Sequence, residues 1–125
     1  MPSLTHRWVE STDPAYEATD FKLVDTKEID GGDKVLSPEI SAEGNHFAIA
    51  AHLRVPVPFA DAPPLVFQYE VTYASPVSCG GSYVKLLTAS DEKASDLNGD
   101  SKYTIMFGPD YCGGNKKIHF IFTLE

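Results

Sequence analysis

An all-β, antiparallel sandwich is the fold this sequence predicts, and three observations carry it. Four segments alternate apolar and polar residues with the period of two that gives a strand one buried face. No stretch keeps the 3.6-residue period of an amphipathic helix. Nine Gly and nine Pro in 125 residues supply breakers at short intervals, which suits many short strands better than a helical bundle.

From the N-terminus, Phe21–Val24 is a short strand and Asp30-Gly31-Gly32-Asp33 a tight turn. Across 44–55 the odd positions Phe47, Ile49, Ala51, Leu53 and Val55 are apolar, with His46, His52 and Arg54 opposite. Four prolines between Val55 and Pro64 remove ladder donors, so that stretch is a loop or an irregular edge. Across 65–73 the row Leu65, Phe67, Tyr69, Val71 and Tyr73 opposes Gln68, Glu70 and Thr72. Segment 82–87 sets Val84 and Leu86 against Tyr83 and Lys85, and the polar stretch 88–101 is a loop. A short strand over 102–107 is apolar on both faces, and Gly108-Pro109-Asp110 after it reads as a turn with a carboxylate at its tip. Finally, 117–124 sets Ile118, Phe120, Phe122 and Leu124 against His119, Ile121 and Thr123.

A chain of 125 residues fits one domain with a real though not generous core. Its net charge of −8 disfavours nucleic acid, where phosphate neutralisation dominates affinity, and anionic membrane surfaces for the same reason. No apolar run approaches a bilayer span, which argues against membrane insertion. Residues 1–6 hold no apolar signal-type run, and Thr123-Leu124-Glu125 is no retrieval tetrapeptide.

Catalysis finds little support. His6, His46, His52 and His119 show no ligand spacing with a Cys or a second His. A Cys79–His119 nucleophile pair exists on paper but is incompatible with a bridged Cys79. No Glu-x-Asp-x-Glu run offers the paired carboxylates of a jelly-roll glycosidase. Asp96-Leu97-Asn98-Gly99-Asp100 starts like a calcium loop, but Ser101 stands where the glycine is required and Phe107 where the bidentate glutamate belongs. The expectation is a binding protein, not an enzyme. The two cysteines alone leave two readings open, unrelated buried thiols or a bridge.

Those cysteines sit in the densest local sequence of the chain. The first opens Cys79-Gly80-Gly81-Ser82-Tyr83-Val84-Lys85-Leu86, and the second closes Tyr103-Thr104-Ile105-Met106-Phe107-Gly108-Pro109-Asp110-Tyr111-Cys112-Gly113. With Gly99-Asp100-Ser101, Lys116-Lys117-Ile118-His119-Phe120-Ile121-Phe122 and, upstream, His6-Arg7-Trp8-Val9-Glu10-Ser11, these runs resemble the calreticulin/calnexin family of lectin chaperones. The likeness runs through residues 64–122 and, more thinly but collinearly, 6–55.

The resemblance implies a concanavalin-like jelly roll, of which residues 1–125 are the N-terminal portion, without the family's proline-rich arm or the C-terminal segment that completes its globular domain. It implies a Cys79–Cys112 disulfide, a bridge across 33 positions that stabilises by roughly 3–4 kcal/mol on chain-entropy arithmetic. It implies a carbohydrate site of Tyr83, Lys85, Gly99, Tyr103, Met106, Asp110 and Ile121, and a structural calcium held by carbonyls near Lys34 together with a carboxylate from the missing segment. The implied partners are monoglucosylated high-mannose N-glycans and incompletely folded polypeptides in the endoplasmic reticulum lumen.

Residue chemistry supports part of this independently. Period two puts Tyr83 with Lys85 on one face and His119 with Ile121 on another; if both line one concave sheet, Tyr103 and Asp110 join them. Aromatic and aliphatic groups cover the C–H patches of a pyranose, while charged groups pair with its hydroxyls. Met106 lies three residues from Tyr103, so a bulge or strand end must bring them to the same face. A second reading comes from the missing strands. Open sheet edges and an uncovered apolar face would make a polypeptide-binding module, or a surface for self-association.

Overall fold

The computed structural model of the chain describes residues 7–16, 21–25, 34–38, 46–54, 57–58, 63–73 and 75–123. Apart from one 3-10 turn, all regular structure among them is β and every pairing is antiparallel, the class that the alternation predicts. The chain divides into two compact units, Met1–Leu53 with Ser90–Ser101, and Arg54–Ala89 with Lys102–Glu125. No helix among the described residues is long and apolar enough to cross a membrane.

In the first unit, β1 (Val9–Glu10), β2 (Phe21–Asp25), β3 (Lys34–Pro38) and β4 (Ile49–Ala50) form two ladders, β1 with β4 and β2 with β3. Of the strand expected over 44–55, the described residues 46–54 enter a ladder only at Ile49–Ala50. The 3-10 turn Ala94–Asp96 is tied down after β1, where the Thr12 N–H and hydroxyl both donate to the Ser95 carbonyl at 2.8 and 3.0 Å. The buried Ser11 hydroxyl donates to the Leu97 carbonyl. The expected turn at Asp30–Asp33 lies outside the described residues.

The second unit is one sheet built from β5 (Cys79–Gly81), β6 (Val84–Leu87), β7 (Tyr103–Cys112) and β8 (Asn115–Phe122). Strands β5 and β6 lie end to end along one side of β7 in a single register, Cys79 opposite Cys112 and, after a gap at Ser82-Tyr83, Val84 opposite Phe107. Strand β8 occupies the other side, with Cys112 opposite Asn115 and Ile105 opposite Phe122. The connection is the two-residue turn Gly113-Gly114, and Gly113 has the left-handed φ of 58° that such a turn requires.

Two further expectations need correction. Gly108-Pro109-Asp110 is not a turn: β7 runs straight through it. Proline is tolerated mid-strand because it faces the gap between β5 and β6, where its missing N–H breaks the ladder. Residues 65–73 form no strand, although their odd row meets the sheet as the alternation implies. Phe67 and Tyr69 approach Phe107 edge-on at 5.8 and 5.2 Å, and Tyr73 approaches Tyr111 at 6.2 Å. Alternation reports which side chains seek apolar neighbours, and that drive was met here without backbone pairing.

The face of the sheet carrying Val84, Leu86, Ile105, Phe107, Phe120 and Phe122 is thinly covered. No apolar side chain of this sheet is buried. Ile118, Phe120 and Phe122 are 81, 66 and 53% exposed.

Candidate functional site

Directly opposed residues of an antiparallel sheet share a face, and so do residues two apart along a strand. Register therefore sorts the expected site residues. Lys85 of β6 is opposite Met106 of β7, which is opposite Ile121 of β8, so the three make one row across the sheet. The next row along β7 on this face holds Gly108 and, on β8, His119; the one after holds Gly81, Asp110 and Lys117; the last holds Cys79, Cys112 and Asn115.

Tyr103 reaches this face through a bulge. Pairing passes from Leu86–Ile105 to Leu87–Tyr103, leaving Thr104 as the extra residue. That insertion resolves the three-residue spacing between Tyr103 and Met106. The Lys85 ammonium then stands 5.2 Å from the Tyr103 ring centroid, a cation–π contact that fixes the long side chain over an aromatic floor.

Tyr83 sits in the gap between β5 and β6, and Pro109 accounts for the gap. The Ser82 N–H donates to the Pro109 carbonyl at 3.0 Å, but Pro109 has no N–H to return. The Ser82 carbonyl accepts instead from the Tyr69 hydroxyl, at 3.4 Å, from the aromatic segment of the opposite face. Gly108 is required beside it: its φ is 151°, and a Cβ there would run into that same carbonyl. Freed from the ladder, the Tyr83 ring folds over Gly81, where any Cβ would collide with it. Its edge meets the His119 ring at 6.1 Å.

Asp110 joins these groups. Its Oδ2 lies 3.2 Å from His119 Nε2, with both side chains about one-third exposed. Partial burial first, then the hydrogen bond to Asp110 and its negative charge, raise the Tyr83 phenol above its ordinary value. Burial followed by the neighbouring Tyr73 raises Tyr69 in the same direction. The face thus has a cationic end at Lys85, an anionic end at Asp110, rings at Tyr83 and Tyr103, and aliphatic groups at Met106 and Ile121. Such a set can bind a neutral polyol with apolar patches.

Cys79 and Cys112 are bonded, closing the far end of the face. Gly99, the remaining expected site residue, lies in a turn of the first unit with open space around its Cα hydrogen. Among the described residues no three His, Cys, Asp or Glu side chains converge as metal ligands, and residues 31–33, beside the Lys34 turn implied for calcium, lie outside them. The oxygens of the Asp96–Asp100 loop serve the loop itself: Asn98 Oδ1 accepts from the Asp100 N–H at 2.8 Å, and Asp96 Oδ1 from the Ser95 hydroxyl at 3.1 Å. His119 lies on this face against Asp110 and was not among the expected site residues. Period two had placed it beside Ile121, but only the register shows Asp110 diagonal to it.

The family model that describes the calreticulin family matches residues 2–125 of the chain. The chain is 40% identical to calreticulin of Oryctolagus cuniculus over 124 residues, 97% of this chain and 28% of that protein. It is 46% identical to calmegin of Bos taurus, and 45% to calmegin of Homo sapiens, each over 84 residues, 66% of this chain and 14% of the relative. The chain therefore spans less than a third of the length of these relatives. No solved structure matches it.

Proposed function

The chain belongs to the calreticulin family, and on that premise we propose that the Lys85 face of its second unit binds the terminal glucose of monoglucosylated high-mannose N-glycans. The glycans are those of incompletely folded glycoproteins in the endoplasmic reticulum lumen, and the protein acts as a lectin chaperone that retains them reversibly. Tyr83 and Lys85 anchor sugar hydroxyls, Asp110 accepts from one, and Tyr103, Met106 and Ile121 lie against the apolar side of the ring. No covalent step is involved, and none is routed through calcium, for which the described residues assemble no ligand set.

The observation that supports this reading most is the single cross-strand row Lys85–Met106–Ile121, with Tyr103 beneath the ammonium. Calorimetric titration with a monoglucosylated mannose oligosaccharide tests it. Heat that disappears in Lys85→Ala, and that the unglucosylated sugar does not produce, supports the lectin. No heat at millimolar sugar with a folded chain overturns it.

One observation favours a second reading, a polypeptide-binding module. The face opposite Lys85 displays Ile118, Phe120 and Phe122 to solvent beside a half-exposed Phe67. Contiguous exposed apolar surface of this kind suits unfolded chains. Suppression of client aggregation that survives Lys85→Ala while sugar binding is absent would favour it.

A further inference from the structure

The partner chosen by Asp110 is not the obvious one. Directly opposite it on β8 stands Lys117, and opposite charges facing each other across an antiparallel pair ordinarily bind. The carboxylate instead leans diagonally to His119, with Oδ2 and Nε2 3.2 Å apart. The β7 residue opposite His119 is Gly108, so His119 stands one row nearer Lys85 than Lys117 does. Tyr83 closes the arrangement, its ring edge on His119.

This lean has a consequence for binding. Along β7, Asp110 lies four residues from Met106, the Lys85 row, or about 13–14 Å at the usual rise per residue. His119 lies only one row from Lys85, about 7 Å away. Drawn to His119, the carboxylate works from the nearer row, a separation that one sugar ring spans. Drawn to Lys117, it would lie a full row too far.

We propose that His119 is a positioning residue of the site: by holding Asp110 away from Lys117 it sets the carboxylate where, together with Lys85, it can grip a single pyranose. This rests on the lectin reading above and assigns it a residue acting through another. His119 lends its Nε2–H to one carboxylate oxygen and leaves the other for the sugar.

The test is calorimetric titration of a monoglucosylated oligosaccharide, and of its deoxyglucose analogues, into the 125-residue chain carrying wild-type, His119→Phe, His119→Gln or Asp110→Ala. His119→Phe keeps a ring against Tyr83 but loses the donor, and affinity should fall roughly ten- to hundredfold, the range for a hydrogen bond to a charged group. His119→Gln keeps a donor at similar reach and should recover most of it. The deoxy analogue that weakens wild-type binding by removing the hydroxyl held by Asp110 should no longer be discriminated in either Asp110→Ala or His119→Phe. Retained discrimination in His119→Phe, or equal losses in the Phe and Gln variants, overturns the positioning role while leaving the lectin reading intact. Absence of binding by the folded wild-type chain overturns the lectin reading itself, and this proposal with it. A sugar-free readout accompanies these: Asp110→Asn should move the His119 imidazole nitrogen resonances, and unchanged resonances would refute the pairing.

Discussion

Replacing Gly81 by alanine separates binding from stability more cleanly than any other single change in this chain. Gly81 keeps an ordinary strand backbone, so the substitution introduces no conformational strain, and alanine within a strand is favoured over glycine by about 0.5–1 kcal/mol. The added Cβ, however, falls onto the outer end of the Tyr83 ring, which must move. Tyr83 is 40% exposed and its ring is the mobile end of a flexible side chain, so moving it costs little packing. What is lost is its interaction with Asp110, worth about 1 kcal/mol or less to folding at such exposure. The two effects offset each other, and the urea midpoint should shift little.

Binding follows a different sum. On the lectin reading proposed above, Tyr83 leaves the position assigned to it for meeting a sugar hydroxyl beside Asp110. Losing a charge-linked hydrogen bond of about 1.5–3 kcal/mol lowers affinity roughly ten- to hundredfold. Calorimetry and urea unfolding on the same preparation read both quantities. A spectroscopic control needs no ligand: ultraviolet titration should show one tyrosine returning toward its ordinary ionisation range. Gly114→Ala, whose added Cβ meets nothing within 4 Å, should leave the Tyr83 titration unchanged. The reasoning is refuted if Gly81→Ala binds sugar like the wild type, or if its affinity and stability fall in parallel.

Four further outcomes are expected. Cys79→Ser with Cys112→Ser removes a link across 33 positions and should destabilise the chain by roughly 3–4 kcal/mol in urea unfolding; a change below about 1 kcal/mol would contradict the entropic account. Gly108→Ala forces a side chain onto a φ of 151° and against the Ser82 carbonyl, and should lower stability by about 1–3 kcal/mol, unlike Gly81→Ala. Tyr69 and Tyr83 both have raised phenols, so they hold their protons more tightly folded than unfolded. The stability this contributes is complete below the ordinary value near 10 and is lost as pH climbs through the raised values; tyrosinate absorbance should therefore show two late-ionising phenols, and no late fraction would count against it. Phe120→Asp with Phe122→Asp should abolish any suppression of client aggregation and spare sugar binding, because both side chains lie on the face away from Lys85.

The row Lys85–Met106–Ile121 was legible in the sequence once Cys79 and Cys112 are set opposite each other, and the reason is register. Lys85 stands six residues after Cys79 and Met106 six before Cys112, so a bridge between opposed cysteines of two antiparallel strands makes Lys85 and Met106 neighbours. The Gly113-Gly114 turn then sets Ile121 opposite Met106. The obstacle was Gly108-Pro109-Asp110, whose composition signals a turn. Its strand conformation depends on a gap in the neighbouring strand and on the Tyr69 hydroxyl, thirteen positions from the carbonyl it serves, and neither is a local property. Spacing required a bulge or a strand end between Tyr103 and Met106, but not which of the two, nor that Thr104 would be the extra residue. His119 stayed without a role because its partner is diagonal, and alternation along one strand carries no information about diagonals.

The same register argument explains how one thin sheet can carry two surfaces of opposite character. On β7, Met106, Gly108 and Asp110 look one way, while Ile105, Phe107 and Pro109 look the other. A slip of one residue on either side would exchange them, putting Val84 and Phe120 on the face that now carries Lys85, and Lys85 and His119 against the aromatic segment. Such a slip is blocked on both flanks. The disulfide fixes β5 and, through their shared register, β6, while the two-residue glycine turn fixes β8. Both surfaces therefore stand or fall with the register of β7. Substitutions that loosen it should damage glycan and polypeptide binding together, whereas side-chain changes within one face should damage only one of them.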